Sequence, residues 1–322
     1  MLRPSLRAGE SLYVVAALPG RWLALYARLM RDPAPPSAAI DQAAALAGPD
    51  ATVRRMRALA GGTHARTYLI QTANPEREFI VRQFAPGDDA AGREARVLAA
   101  LDGLDGLAPQ LLVAHPYGSW ILISRLPGAA NITPRDPSAV ARQLGETLAR
   151  IHATVRQRLA GLPSVFDRPE GSPAELSGPA ASIVAARWET LASAQTVLTH
   201  YDFWLGNTVW QDGTLTGVVD WTGGARGPRA CDLGWCRLDL YLLYGESIAD
   251  AFLRSYQAVS RSASPDSLLC DLWAAARSHQ IVESWVPNYR DLGRADLTAR
   301  VLRKRHTTWT RHLIERSTTT AI

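Results

Sequence analysis

The chain has 322 residues, of which 47% are hydrophobic and 20% are charged. This ordinary globular composition argues against a disordered or collagen-like chain, and at about 100–200 residues per domain the length predicts two domains or lobes. The longest early apolar stretch, residues 12–18, ends at Pro19-Gly20. A membrane-spanning helix needs roughly 18 apolar residues, so we expect no membrane partner.

The net charge of +5 is concentrated near the C-terminus. Between Arg294 and Arg316, seven basic residues oppose Asp296 and Glu315, so this segment alone carries +5. The rest of the chain is then close to neutral, whereas a nucleic-acid-binding surface needs basic residues spread over its contact face. We therefore expect no nucleic-acid partner, and we interpret residues 295–315 as a helix with a solvated cationic face.

The cysteine content favours a reducing compartment. Cys231, Cys236 and Cys270 are too few and too irregularly spaced for a disulfide framework or for paired Cys-x-x-Cys zinc units. We therefore expect a cytoplasmic protein.

The predicted elements change in character along the chain. Residues 1–50 are predicted to be an N-terminal extension with a proline-rich linker at 32–37. Residues 51–127 show strand patterns at 53–59, 67–72, 78–84 and 120–124 around one helix at 90–101. Residues 128–322 are predicted to be mostly helical, with helices at 137–151, 234–259, 266–285 and 295–315 and short strands at 197–199, 209–210 and 215–219. The sequence therefore predicts an α+β fold with a lobe boundary near Pro127-Gly128.

The densest chemical signal is His200-Tyr-Asp202-Phe-Trp-Leu-Gly-Asn207, followed by Asp220 at the end of an apolar strand. Chance matches to His-x-Asp-x4-Asn number roughly 0.005 in a chain of this composition. Phosphoryl transfer needs one carboxylate to orient the attacking hydroxyl and oxygen ligands for Mg²⁺ on the phosphates. Asp202 suits the first role, and Asn207 with Asp220 suits the second because Mg²⁺ prefers hard oxygen donors. The alternative is that Asp202 and Asp220 only cap turns.

This pattern, completed by Asp220-Trp221, resembles the catalytic loop and metal segment of the aminoglycoside phosphotransferase and choline kinase-like family, small-molecule relatives of the protein kinases. The resemblance extends from about residue 52 to about residue 240. It implies a protein-kinase-like bilobal fold, with a small antiparallel sheet and one helix in residues 51–127 and a larger helical lobe in residues 128–322. It also implies that the γ-phosphate of ATP or GTP, with Mg²⁺, is transferred to a hydroxyl of a small acceptor such as an aminoglycoside, another sugar or an amino alcohol. A catalytically silent kinase-like nucleotide-binding or regulatory module is the alternative.

The resemblance places nucleotide contacts in the first lobe. It assigns the loop over the phosphates to Gly61, Gly62 and Thr63, although a glycine pair between strands also fits a simple tight hairpin. It assigns the segment that joins the lobes to Ser124–Gly128, so that Ser124 and Leu126 would lie near the base. Backbone contacts to the base leave no sequence signal that separates ATP from GTP.

Arg82 and Glu94 are the implied cation and its helix partner. Arg82 lies on the same face of its strand as Ile80 and Phe84, and a cation on an apolar face needs a partner. Protein kinases have lysine at this position, but the only lysine of this chain is Lys304, so we expect Arg82 to grip the phosphates. An arginine reaching to solvent and a solvated helix glutamate are the alternatives.

The resemblance assigns loop support to His200 and Asp232. We interpret His200 as a structural part of the loop and not as a general base. Asp232 matches a family aspartate that helps to hold the loop. The segment Arg226-Gly227-Pro228 departs from the family's Gly-Asp-Pro, which puts the local geometry in doubt.

The helical lobe is where the resemblance places the acceptor. Four acidic residues could line a site for an amine-bearing alcohol, with solvated helix faces as the alternative: Asp239, Glu246, Asp250 and Glu283. Four aromatic residues could form a wall for a sugar or a quaternary ammonium, with core packing as the alternative: Trp235, Tyr241, Trp273 and Trp285.

Overall fold

The computed structural model describes residues 34–59, 65–85, 87–167, 172–260 and 266–319. These residues belong to two compact units. One unit contains the described residues up to 91 together with residues 112–124, and the other contains residues 92–111 and the described residues from 125 onward.

The first unit is built on a five-stranded sheet in the order β1-β2-β3-β5-β4. Its strands are β1 (Thr52–Ala58), β2 (Ala65–Ala73), β3 (Arg77–Phe84), β4 (Leu111–Ala114) and β5 (Trp120–Ser124). The β1–β2, β2–β3 and β3–β5 pairings are antiparallel. β1 forms the edge of this sheet, and its arginine-rich sequence is almost wholly exposed. Charged edge strands discourage pairing with other chains, which explains this composition.

Helix α1 (Ser37–Ala47) covers one face of this sheet. Its Ala39 and Ala43, four residues apart, are fully buried in a core cluster with Ile70, Val81 and other apolar residues of the sheet. The small alanine side chains allow the helix to approach the strands closely. This helix lies within the predicted N-terminal extension, in residues 37–47, for which the sequence pattern predicted no element; the helical spacing at residues 22–30 of the same extension lies outside the described residues.

The second unit is mostly helical. Its helices are α2 (Ala90–Leu101, which begins in the first unit), α3 (Pro137–His152), α4 (Arg156–Leu159), α5 (Ala181–Ala186), α6 (Trp188–Ala192), α7 (Ala230–Tyr244), α8 (Glu246–Val259), α9 (Ser267–Ser278), α10 (Val286–Asp291) and α11 (Ala299–Thr319). Asp136 caps the N-terminus of α3, since its Oδ1 accepts a 2.9 Å hydrogen bond from Ala139 N. α7 lies against α9 so closely that a Cβ added at Gly234 would be 2.1 Å from Cys270 O. Only glycine permits this contact.

Two small antiparallel pairs of strands interrupt the helical unit. β6 (Thr196–Thr199) pairs with β9 (Ala225–Pro228), and β7 (Thr208–Gln211) pairs with β8 (Thr214–Val218), both antiparallel. Residues 200–207 connect β6 to β7, and Asp220 lies between β8 and β9. The loop at residues 200–207 and the segment around Asp220 are therefore each held by a paired strand at both ends.

Two predicted helices are broken in the structure. The helix predicted at 234–259 ends at Tyr244, because Gly245 has φ +92° and turns the chain before α8 begins. The helix predicted at 266–285 ends at Ser278, and residues Val282–Trp285 form a separate 3₁₀ turn. In the described part of the chain, no helix combines the length and the apolar character needed to cross a bilayer.

The C-terminal helix α11 carries a buried histidine. His306 is 1% exposed, and its Nε2 lies 2.8 Å from Ser278 Oγ and 3.1 Å from Ala275 O. Burial, together with the positive charge of Arg303, lowers the pKa of His306 from 6.5 to about 4. His306 is therefore neutral in the folded chain at pH 5 to 7.

We expect this histidine to make the protein acid-sensitive. The unfolded chain binds a proton at this histidine more readily than the folded chain does. The neutral His306 therefore contributes fully to the free energy of unfolding above pH 6.5. This contribution is lost as the pH falls toward 4, by about 2 kcal/mol between pH 6.5 and 5. The variant His306→Gln should therefore lose less unfolding free energy than the wild type between pH 7.5 and 5 in urea titrations. His312→Gln, on the exposed side of the same helix, is the control. Identical pH slopes for the wild type and His306→Gln would contradict this explanation.

Candidate active site

Asp202 is held at both carboxylate oxygens. Its Oδ2 accepts a 2.9 Å hydrogen bond from Asn207 Nδ2, and its Oδ1 accepts a 2.9 Å hydrogen bond from Trp235 Nε1 on α7. Asn207 Nδ2 also donates to the backbone oxygen of Asp202 at 2.9 Å, so the two residues close the loop on itself. Asp202 remains partly exposed. A fixed, partly exposed carboxylate is suited to accept a hydrogen bond from a bound hydroxyl.

The backbone brings Asn207 next to Asp220. Val219 N donates to Asn207 O at 2.9 Å, and His200 Nε2 donates to Val219 O at 2.9 Å. Both contacts connect the 200–207 loop to the residue that precedes Asp220. Because the amide nitrogen of Asn207 is directed to Asp202, the atom of Asn207 that can bind a cation is Oδ1. The structure thus brings together the three residues that the sequence singled out: Asp202, Asn207 and Asp220.

Asp220 has a left-handed backbone and a side-chain partner that sequence reasoning missed. Its φ of 62° and ψ of 63° are uncommon for a residue other than glycine. Thr222 Oγ1 lies 2.9 Å from Asp220 Oδ1 and 3.2 Å from Glu94 Oε2 of α2. The hydroxyl has one proton, so it donates to one carboxylate at a time. Two carboxylates that share one hydroxyl, with Glu94 only 1% exposed, form an electronegative environment in which a cation lowers the cost of burying charge.

The donor set fits Mg²⁺ better than zinc or another thiophilic metal. Asn207 and Asp220 offer hard oxygen atoms, and Mg²⁺ uses one or two protein ligands together with water and phosphate oxygens. Within the residues that the structure describes, no group of three or more His, Cys, Asp or Glu side chains is placed to hold a metal ion.

Asp232, the predicted loop support, is fully buried and accepts three hydrogen bonds. Two come from the loop backbone, from His200 N at 2.8 Å and Tyr201 N at 2.7 Å, and one comes from His152 Nε2 at 3.2 Å. Tyr201 has a φ of +68°, which is costly for an aromatic residue. The two backbone hydrogen bonds offset this strain. His200 is also fully buried, against the Trp221 ring.

Asp239 supports the loop from its other end. Its Oδ2 accepts a hydrogen bond from Leu205 N at 3.4 Å, and its Oδ1 accepts one from Tyr289 Oη at 2.8 Å. Burial raises the pKa of Asp239 to about 7, partly opposed by these hydrogen bonds. Asp239 is only 4% exposed, so it holds the loop backbone and is not an open acidic wall.

The other three acids expected at an acceptor site are paired within the chain. Their ion pairs are Glu246 with His312, Asp250 with Arg237, and Glu283 with Arg303. Each of these three acids therefore has a partner within the chain, although its side chain stays partly exposed.

The expected aromatic residues are also distributed differently. Trp235 and Trp273, together with Tyr201, surround the guanidinium of Arg277. Trp285 contacts Trp235 edge-on, with ring centroids 5.1 Å apart. Tyr241 stacks on Trp309 of α11 at 4.4 Å and so belongs to the packing of the C-terminal helix.

The predicted nucleotide contacts are described only in part. Gly61, Gly62 and Thr63 lie outside the described residues. Arg82 lies in β3, an internal strand, and is 5% exposed, which contradicts the alternative of an edge arginine reaching to solvent. Ser124 is the last residue of β5. The roles of these residues in nucleotide binding, and that of Leu126, stay predictions.

Known proteins share the fold of this chain. The macrolide 2'-phosphotransferase of Brachybacterium faecium is 22% identical, with a TM-score of 0.56 over 83% of this chain and 98% of the other. The choline kinase of Streptococcus pneumoniae is 16% identical, with a TM-score of 0.57 over 82% and 94%. The ethanolamine kinase of Plasmodium vivax is 12% identical, with a TM-score of 0.53 over 79% and 81%. These likenesses confirm the predicted kinase-like α+β fold class. No curated protein matches the chain.

The profile of the phosphotransferase enzyme family matches residues 55–277. This range covers more than half of the chain and includes Asp202, Asn207 and Asp220. The chain therefore belongs to the phosphotransferase enzyme family.

Proposed function

We propose that this phosphotransferase moves the γ-phosphate of ATP or GTP to a hydroxyl group of a small molecule. The observation that carries the proposal is the fixed carboxylate of Asp202, which Asn207 Nδ2 and Trp235 Nε1 hold from two sides at 2.9 Å. Asn207 in turn is connected through Val219 to Asp220. Phosphoryl transfer requires one oriented acid and oxygen ligands for a metal ion, and Asp202, Asn207 and Asp220 would supply both.

In the proposed step, Asp202 accepts a hydrogen bond from the acceptor hydroxyl. This contact orients a lone pair of the hydroxyl oxygen toward the γ-phosphorus. The bond from that oxygen to phosphorus forms while the bond from phosphorus to the β–γ bridging oxygen breaks. The nucleoside diphosphate leaves with the electron pair of the broken bond, and Asp202 receives the proton of the hydroxyl. The products are a phosphate monoester and a nucleoside diphosphate.

Asn207 Oδ1 and the carboxylate of Asp220 would hold Mg²⁺. When bound, the ion neutralises charge on the phosphate oxygens. Thr222, through its 2.9 Å contact with Asp220 Oδ1, fixes the direction of that carboxylate. Asp232 and Asp239 keep the loop backbone in place from both ends.

The remaining assignments of the nucleotide site are part of the same proposal. Arg82, with Glu94 as its partner, would grip the phosphates, and Gly61, Gly62 and Thr63 would cover them. Ser124 and Leu126 would lie beside the base. The three cysteines are buried free thiols, which supports our placement of the enzyme in the cytoplasm.

Nucleotide binding tests the proposal before any acceptor is known. A ligand that binds only the folded chain raises its stability, by about 2.7 kcal/mol at a hundredfold excess over Kd. We expect ATP or GTP with Mg²⁺ to raise Tm by several degrees, and each alone to raise it less. A mass-shift screen of hydroxylated amines, sugars and antibiotics should then find a product about 80 Da heavier than its acceptor, which is the mass added when a phosphoryl group replaces a proton.

The two readouts separate the proposal from the silent module. A nucleotide-linked Tm increase without a phosphorylated product in any screen would favour a binding or regulatory role. A chain without any nucleotide-linked stabilisation would contradict both interpretations.

A further inference from the structure

Tyr289, on α10, supports the middle of the catalytic loop in two ways. Its hydroxyl donates to Asp239 Oδ1 at 2.8 Å, and Asp239 Oδ2 in turn accepts a hydrogen bond from Leu205 N at 3.4 Å. Its ring meets the Trp204 ring edge-on, with centroids 5.7 Å apart. Tyr289 is 2% exposed and Leu205 is fully buried, so water does not replace either contact.

These contacts fall between the two loop residues that we assign to the reaction, Asp202 and Asn207. Leu205 begins the 3₁₀ turn that ends at Asn207, and Asn207 N donates to Trp204 O at 3.0 Å. A displacement of Leu205 would therefore move Asn207. Through the 2.9 Å hydrogen bond from Asn207 Nδ2 to Asp202 Oδ2, it would also change the direction of the catalytic carboxylate. A misplacement of about 1 Å in such groups can cost about 10²-fold in rate.

The strength of this connection depends on the protonation state of Asp239. An ionised carboxylate accepts at both oxygens, and its hydrogen bonds are about twice as strong as those of a neutral acceptor. A protonated Asp239 carries no charge, so it holds Leu205 N more weakly. Tyr289 remains a donor at neutral pH, because burial and the neighbouring charge of Asp239 raise its pKa well above the usual range.

Asp239 titrates close to neutral pH. Burial, together with the negative charge of Asp202, raises the pKa of Asp239 to about 7, while its two hydrogen bonds and the positive charge of Arg294 oppose this increase. Tyr244 and Cys236, on the same helix, also face Asp239, and burial raises the pKa of both, so they stay neutral near pH 7. A change of pH around 7 therefore changes the charge of Asp239.

We propose that Tyr289 positions the catalytic loop for phosphoryl transfer through the hydrogen-bonded carboxylate of Asp239, and that only the ionised carboxylate holds the loop firmly enough for full activity. This inference rests on the proposed phosphotransferase function and adds control of the same site by pH. Both residues act on the reacting groups through the loop backbone and are positioning residues.

Hydrolysis of ATP or GTP with Mg²⁺, in which water takes the place of the acceptor, tests this inference without an identified substrate. In the wild type, we expect the single-turnover rate of phosphate release to rise about fivefold or more between pH 5.5 and 8.5, with a midpoint near the pKa of Asp239.

The variant Tyr289→Phe keeps the ring beside Trp204 and removes only the hydroxyl. The ionised form of Asp239 then loses a hydrogen bond, so the midpoint of the rate profile should rise by about one pH unit. We expect this variant to be about twofold slower than the wild type at pH 7 and to match it by pH 9. A merely structural role of Tyr289 would lower the rate by the same factor at every pH.

Two further variants complete the kinetic test. Asp239→Asn has the size of the protonated acid and cannot ionise, so its rate should stay at the low level of the wild type at pH 5.5 and should not rise toward pH 8.5. Tyr68→Phe removes the hydroxyl of another buried ring, in the sheet of the first unit. It is the matched control and should follow the wild-type profile.

NMR spectra follow the same connection without turnover. The carboxyl carbon of Asp239, labelled with ¹³C and assigned by its loss in Asp239→Asn, should titrate with a midpoint near 7. The backbone amide of Leu205 should shift with the same midpoint, because its nitrogen donates to that carboxylate. Both midpoints should rise in Tyr289→Phe.

The rates and the spectra distinguish the failure of this inference from the failure of the proposed function. If the wild type and Tyr289→Phe release phosphate with the same pH profile, the inference is overturned and the phosphotransferase proposal stands. A Leu205 amide that does not follow the titration of Asp239 would overturn it as well. If the wild type neither hydrolyses nucleotide nor transfers phosphate to any screened acceptor, the proposed function fails, and the role of Tyr289 in phosphoryl transfer fails with it.

Discussion

The variant Asp202→Ala is expected to transfer phosphate at least 10³-fold more slowly than the wild type. A positioned carboxylate that accepts a proton contributes about 10²–10⁴-fold to such a step. The change also leaves Trp235 Nε1 without its acceptor and removes one of the two acceptors of Asn207 Nδ2, so the loop loses a fixed point. Single-turnover assays with excess enzyme would measure the loss in the chemical step itself.

Nucleotide binding separates this effect from unfolding. Asp202 has no assigned contact with the nucleotide, so the Tm increase produced by ATP or GTP with Mg²⁺ should survive in Asp202→Ala. Asp291→Ala, on an exposed helix end, is the control for the loss of a carboxylate and should keep full activity. Retained turnover in Asp202→Ala would refute the role of this residue.

Local sequence signals were sufficient for the parts of the site that are close together in the chain. The eight residues from His200 to Asn207 contain both ends of the hydrogen bond that fixes the carboxylate of Asp202. The N-terminus of α3 was also predictable, since Asp136 stands at the cap position before a proline. In both cases the interacting groups are at most five residues apart, so one short sequence motif contains both of them.

Contacts between distant segments could not be predicted in this way. Trp235 lies 33 positions after Asp202, in a helix that is buried on nearly every side. Such a helix has no apolar stripe to indicate which residue faces the loop. The bond from Thr222 to Glu94 spans 128 positions and likewise leaves no periodic signal. These contacts follow from how the helices pack, and only the structure shows them.

The missed elements have a common physical reason. The strand Ala225–Pro228 contains glycine and proline and no β-branched residue, so its composition argues against a strand, yet pairing with Thr196–Thr199 makes it one. Helix Ser37–Ala47 follows a proline-rich segment, and its alanines become informative only against the sheet that they cover. Tertiary pairing here overrides weak local preference.

The variant Asp220→Asn should remove the magnesium dependence of nucleotide binding. Asparagine keeps the size of the side chain and tolerates the left-handed backbone with φ 62° at this position, so the change isolates the charge. The factor by which Mg²⁺ raises nucleotide affinity should be at least tenfold smaller in this variant than in the wild type, a difference of about 1.4 kcal/mol in binding free energy. The reason is that a metal ligand of full charge becomes a neutral amide. Calorimetric titrations of the nucleotide with and without Mg²⁺ would measure this difference directly.

Two further variants separate charge from backbone strain. Asp220→Ala loses the charge and also places alanine in a left-handed conformation, at an additional cost of about 1–2 kcal/mol in folding. It should therefore show the same loss of metal dependence as Asp220→Asn together with a lower Tm. Thr222→Val removes the 2.9 Å hydrogen bond to Asp220 Oδ1 and keeps the charge, so the metal effect should weaken only in part. If Mg²⁺ raises nucleotide affinity equally in Asp220→Asn and the wild type, Asp220 is ruled out as a metal ligand. The order of the three variants measures how much of the metal site depends on the charge of the carboxylate and how much on its direction.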